Sequence, residues 1–314
     1  MINAKVYLAQ SGRCKCLILI VLCVAYFGIT YGLYSGPLHA FFPIGMATKI
    51  VFWNFGVLAL FITVLWTFGK LLPRRELPEL PATLNRLAML AGSLVLLAGL
   101  LLIFWIWVAP WIKSQMQSDH PYGVSVLTTG TVIQVGAGII ITVIMMSIVL
   151  WQLKGWRRQS FSLSWSSVLL TIILILLSMA LCFVKNRLFL TVSPIIPTGG
   201  IVNALVAFIA QLFVNGLLEE AYYRGYLIPQ LMAWVKSPLI AIWAMVVLFD
   251  VSHLPLLIIG HQDILSWWQW ILWCIFPYQP TGLLYAAIYY KTRTVIPGAF
   301  VHTYTTQWGF AFLS

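Results

Sequence analysis

Apolar runs of membrane-crossing length follow one another along most of this chain, and they restrict its fold more than any other feature. They cover residues 16–34, 50–68, 87–111, 131–151 and 166–184, then a long stretch 200–235, and finally 239–259, 270–290 and 297–313. A helix needs about 20 apolar residues to cross the hydrocarbon core of a bilayer, and it satisfies its own backbone hydrogen bonds while doing so. No period-two alternation interrupts these runs, so strands are not expected. The expected fold is all-α, a polytopic transmembrane helical bundle of about eight to nine membrane segments. Charged residues make up 8% of the 314 positions, against about a quarter in soluble domains.

The formal net charge of +11 does not point to nucleic acid. The basic residues sit in short clusters between apolar runs, where they meet anionic lipid headgroups. Lys70, Arg74, Arg75 and Arg86 fill one loop, Lys154, Arg157 and Arg158 another, and Lys5, Arg13 and Lys15 precede the first run. This bias places the N-terminus on the cytoplasmic side, with the first run kept as a spanning helix. Trp111, Trp151, Trp156, Trp267 and Trp268 stand near run ends, as interfacial tryptophans do. Cys14, Cys16, Cys23, Cys182 and Cys274 are dispersed and fit neither a zinc site nor a disulfide framework.

A basic, serine-rich linker near residues 154–165 divides the chain in two. Residues 1–160 form an N-terminal membrane region of about four transmembrane helices whose polar residues carry no evident chemistry. His39 and His120 there read as solvated loop histidines. Residues 161–314 hold the polar marks. The protein has only seven acids, and two of them are adjacent, in Glu219-Glu220-Ala221-Tyr222-Tyr223-Arg224-Gly225. A charge inside a bilayer costs at least about 2.5–3.5 kcal/mol on the most lenient scale, so such residues mark function or a wet cavity.

Glu220 and Arg224 are one helical turn apart and can pair, whereas Glu219 has Tyr223 at that spacing and points to another sector. One carboxylate is then free for chemistry while the other is structural. Both could instead anchor a helix end at the membrane surface. His253 follows Asp250 by three residues, and His302 lies in the last apolar run. The break Lys236-Ser237-Pro238 falls midway between Glu219 and His253. This makes a hairpin with arms of roughly 23–25 Å, which returns the two residues to one level. A carboxylate and two imidazoles so placed can take a proton from water and donate to an oxyanion, the needs of amide hydrolysis. No His-Glu-x-x-His pair and no Gly-x-Ser-x-Gly elbow is present.

Glu219-Glu220 with Arg224, Phe249 with His253, and then His302, in this order and spacing, resemble the CPBP (Abi) family of intramembrane proteases. That family includes CAAX prenyl proteases and bacterial relatives tied to bacteriocin processing or immunity. The resemblance covers about residues 200–314. It implies a membrane-embedded, metal-independent, glutamate-type endopeptidase of a bacterial cell membrane, acting on a peptide or membrane-protein substrate among membrane lipids, with no cofactor. By position, it makes Glu219 and His253 the pair that activates water and His302 the oxyanion donor, with Glu220 and Arg224 as structural support.

The resemblance departs from the family pattern at Thr306, where an asparagine is usual four residues after the histidine, leaving a single hydroxyl as the second donor. Asp250 is a further support candidate, either orienting His253 or lying on a wet helix surface. Two other readings stay open. One is a weakly active or inactive relative that binds a membrane partner in immunity or regulation. The other is a transporter using Glu219 and Asp250 as proton relays. With no recognisable zinc motif, chelators are expected to leave peptide cleavage unchanged; stoichiometric zinc, lost together with activity and restored with it, is the contrary result.

Overall fold

The computed structural model describes residues 24–33, 46–72, 83–103, 161–189, 211–254, 265–276 and 279–308, with isolated positions elsewhere. Among these residues the regular structure is entirely helical. The elements are α1 (Val24–Leu33), α2 (Met46–Phe68), α3 (Leu84–Ile103), α4 (Trp165–Phe189), a long helix α5 over residues 212–235, α6 (Pro238–Ser252), α7 (Trp267–Ile275), α8 (Gln279–Thr292) and α9 (Ile296–Trp308).

Three stretches are long and apolar enough to cross a membrane among the described residues: Thr48–Leu71, Trp165–Leu188 and Trp267–Thr292. The expected run 270–290 falls within the last of these, which comprises α7 and α8 in sequence. The run 131–151, His39, His120, Cys14, Cys16 and Cys23 lie outside the described residues, apart from single helical positions in that run. Cys182 and Cys274 are free and buried.

Local chemistry sets the element ends. Lys236 closes α5 in the left-handed region, with φ of 51° and its N–H on the Met232 carbonyl. Ser237 is then extended, and Pro238 enters the first turn of α6, where its missing N–H and fixed φ are favourable. This is the expected hairpin turn. Ser266 and Gln269 form a capping box at the start of α7, each satisfying a backbone donor that the first turn leaves open. Arg293 turns α8 into α9 through a second left-handed residue, with φ of 56° and its N–H on the Tyr289 carbonyl.

The central element is α8, which has core on two sides. Ala286 and Tyr289 join Tyr222, Tyr226, Leu227, Met245 and Phe249 of α5 and α6. Leu284, Tyr285 and Ile288 join Phe61 and Leu65 of α2 and Leu170 and Leu174 of α4. α9 closes against α4, α8 and the first part of α5. Its approach to α5 depends on Gly216, where a Cβ would stand 2.7 Å from the Ala299 carbonyl oxygen.

The outer faces of α2 and α4 remain apolar: Phe52, Ile62, Leu169 and Leu176 are exposed. In a bilayer those side chains meet lipid at no cost. Trp66 and Trp165, also exposed, stand at the ends of their helices, as interfacial anchors do.

Two residues of α2 separate the packed face from the lipid face. Phe61 is fully buried and Phe52 is exposed. In equilibrium unfolding from mixed micelles, Phe61→Ala is expected to lose about 3–5 kcal/mol, and Phe52→Ala no more than about 0.5 kcal/mol. Equal losses would contradict this assignment of faces.

Candidate active site

The acidic pair lies on a helix of unusual winding. Within α5, residues Leu212–Gly216 and Glu220–Leu227 are π-helical, separated by one short α-turn, Leu217–Glu219. Glu220 and Arg224 keep their i,i+4 pairing within this winding. In the structure both carboxylates reach the same imidazole.

His302 of α9 stands between them. Its Nδ1 is 3.1 Å from Glu220 Oε1, and its Nε2 is 3.7 Å from Glu219 Oε2. Nδ1 donates its proton to Glu220, because a carboxylate only accepts, whereas the approach to Glu219 is longer than a hydrogen bond. The Tyr285 ring stacks on the imidazole at 4.3 Å, nearly parallel, and the Phe249 ring meets it edge-on at 6.0 Å. The Tyr285 hydroxyl is hydrogen-bonded to Thr305 Oγ1, and Thr305 donates in turn to the His302 carbonyl. The ring is therefore stacked on Tyr285, packed against Phe249 and bonded to Glu220 through Nδ1.

Beneath the imidazole lies the expected ion pair. Arg224 Nη1 is 3.2 Å from Glu220 Oε1, and both side chains are fully buried. The guanidinium also donates from Nη2 to the Gly282 carbonyl at 3.4 Å and lies 4.1 Å over the Phe249 ring. Breaking a buried pair of this kind typically costs about 3–5 kcal/mol, since one charge is left uncompensated. Glu219 differs in its surroundings, with a side chain about one-fifth exposed. The two adjacent acids thus have different environments, one in the core and one at its edge.

His253 caps the C-terminus of α6. Its Nδ1 donates to the Phe249 carbonyl at 2.8 Å, which leaves Nε2 as the nitrogen with acceptor capacity. Its ring packs 4.8 Å from the Phe249 ring, so Phe249 contacts both histidines and Arg224. Thr306 is one turn beyond His302 and half-buried. Asp250 is fully buried, so it is not an acid on a wet helix surface. Its close neighbour is Gly282 on α8, where a Cβ would stand 3.2 Å from Asp250 Oδ1. Among the described residues, no three His, Cys, Asp or Glu side chains are grouped so as to hold a metal ion.

Two residues of this site escaped the sequence reading. Tyr285 is one apolar ring among many and has no local signal. Gly298 adjoins Glu220 so closely that a Cβ there would stand 2.7 Å from Oε2. Its position after Pro297, in the first turn of the helix bearing His302, is the only cue. At that end of α9 the helix dipole also favours the carboxylate.

The apolar helices mark an integral membrane protein, and the buried carboxylate–imidazole cluster is its candidate site. Residues 201–306, about a third of the chain, match the family model described as type II CAAX prenyl endopeptidase Rce1-like. This bears out the resemblance drawn from the acidic pair and the two histidines, and the matched family is one of proteases. The stretch contains Glu219, Glu220, Arg224, Asp250, His253, His302 and Thr306. No curated protein and no solved structure matches the chain.

Gly298 provides a test of the cluster. Gly298→Ala is expected to push Glu220 off His302 and cost about 1–3 kcal/mol. Gly92→Ala, on a helix face with nothing within 4 Å of the added Cβ, is expected to be neutral or stabilising by up to about 1 kcal/mol. Thermal unfolding of both variants in detergent checks the contrast.

Proposed function

We propose that this chain is a membrane endopeptidase that hydrolyses a peptide bond in a C-terminal or leader segment presented at the membrane, using Glu219 as the base. The observation that carries this reading is the position of His302, whose Nε2 faces the one acid of the pair that reaches solvent. Glu219, assisted by His253, removes a proton from water. The hydroxide attacks the scissile carbonyl carbon, and negative charge develops on its oxygen. His302 Nε2–H and the Thr306 hydroxyl donate to that oxygen. As the tetrahedral intermediate collapses, the C–N bond breaks and the proton held by Glu219 passes to the leaving amine.

The division of labour follows from environment. Glu220 is fully buried and engaged by Arg224 and His302, so it supports the site. Glu219 touches His302 and is partly open. The Phe249 ring, in contact with His253 and His302, gives the two imidazoles a common wall. The basic loop clusters support a cytoplasmic N-terminus, and the matched family supports a prenylated or CAAX-like substrate.

Purified full-length protein in nanodiscs is to be assayed at saturating concentrations of a farnesylated CAAX peptide and of the same peptide without the lipid. Glu219→Gln is expected to abolish turnover without loss of folding. Thr306→Val is expected to lose about 10²–10³ in rate, the usual effect of removing one oxyanion donor. Thr306→Asn is expected to match or exceed the native protein. Near-normal cleavage by Glu219→Gln would remove the base assignment. Cleavage of the unlipidated peptide at the same efficiency would remove the prenyl requirement alone.

A further inference from the structure

Asp250 is the one acid of this region that neither the proposed reaction nor the Glu220–Arg224 pair uses. It is fully buried, and neither carboxylate oxygen has a hydrogen-bond partner among the described residues. Gly282 of α8 stands against it, while Arg224 of α5 and Cys274 of α7 lie within electrostatic reach. Val246 and Phe249, on its own helix, line the same contact with Gly282.

Arg224 is the only permanent cation in that set, and it is already engaged. It pairs with Glu220 at 3.2 Å and donates to the Gly282 carbonyl. His302, the other potential cation of the site, faces Glu220 and Glu219 with its two nitrogens. The one guanidinium is thus already matched by Glu220, and no counter-charge remains among the groups around Asp250. An ionised carboxylate buried without a donor is among the costliest arrangements in a protein, and uptake of one proton removes the charge.

We propose that Asp250 is held as the carboxylic acid at neutral pH, and that its proton is what leaves Arg224 to Glu220. Asp250 is then a positioning residue, acting through Arg224 and Glu220 on His302. Were it ionised, two buried carboxylates would compete for one guanidinium, and the support beneath the His302 Nδ1 would weaken. That consequence for catalysis rests on the protease reading, whereas the protonation state does not.

The test needs no substrate. A full-length Asp119→Asn/Asp263→Asn variant leaves Asp250 as the sole aspartate. Labelled with carboxyl-13C aspartate in nanodiscs at neutral pH, it is expected to show the isotope-shifted C=O stretch of a carboxylic acid. In addition, Asp250→Asn is expected to stabilise the native chain in mixed-micelle unfolding. Its advantage in the folding constant should grow about tenfold per pH unit above the range where an exposed aspartate ionises, because the folded protein alone must retain that proton.

A labelled protein showing only carboxylate bands overturns the proposal. A destabilising or pH-independent effect of Asp250→Asn also overturns it, since a proton that the folded protein alone retains requires a gain that grows with pH. The infrared reading stands even if Asp250→Asn does not fold. Failure of the peptide assay would leave this result untouched, and failure here would leave the role of Glu219 untouched.

Discussion

The buried pairing of Arg224 with Glu220 is the interaction on which the rest of the site depends. A guanidinium with no access to water must find its partners within the helical bundle. It finds a carboxylate on its own helix, a carbonyl on α8 and the face of Phe249 on α6. Three helices are thereby tied to one charge. Such an arrangement is weak evidence for stability as such, because desolvation offsets much of the attraction. Its effect is on geometry: any shift of α5, α6 or α8 would strand a charge in a medium that cannot solvate it.

From that anchor the site is built outward in order of solvent access. Glu220 holds His302 through Nδ1, Tyr285 and Phe249 fix the plane of the ring, and Nε2 is left facing Glu219 at the edge of the core. The two neighbouring glutamates thus differ through what surrounds them and not through their own chemistry. The stretch that carries Glu220 and Arg224 is π-helical, and the two remain paired within it. Extra residues of this kind within a helix carry a cost in regularity and recur at functional sites. Glycines complete the fit: Gly216 lets α9 approach α5, and Gly298 makes room for a carboxylate oxygen.

Much of this was legible in the chain itself. A sequence with 8% charged residues and repeated apolar runs had to be helical, since lipid leaves backbone groups no other partner over such lengths. Scarcity made the acids conspicuous, and the spacing of Glu220 and Arg224 was enough to pair them. The Lys236-Ser237-Pro238 turn could be placed because proline and a left-handed residue end helices by local sterics. The order of the acidic pair and the two histidines was enough to name the family that residues 201–306 match.

What the tertiary structure decided is which groups share a cavity and which are shut away. No local rule brings Tyr285 onto His302, sets Gly298 against Glu220 or sets Gly282 against Asp250, because each contact joins helices distant in sequence. The helical period assigned Glu219 and Glu220 to different sectors, but that the two would meet opposite nitrogens of one imidazole was decided by the packing of α9. The sequence by itself therefore determined the material, the helices and the reactive residue types. Their partners and their access to water depended on close packing of α5, α6, α8 and α9, since burial and proximity are properties of the assembled bundle.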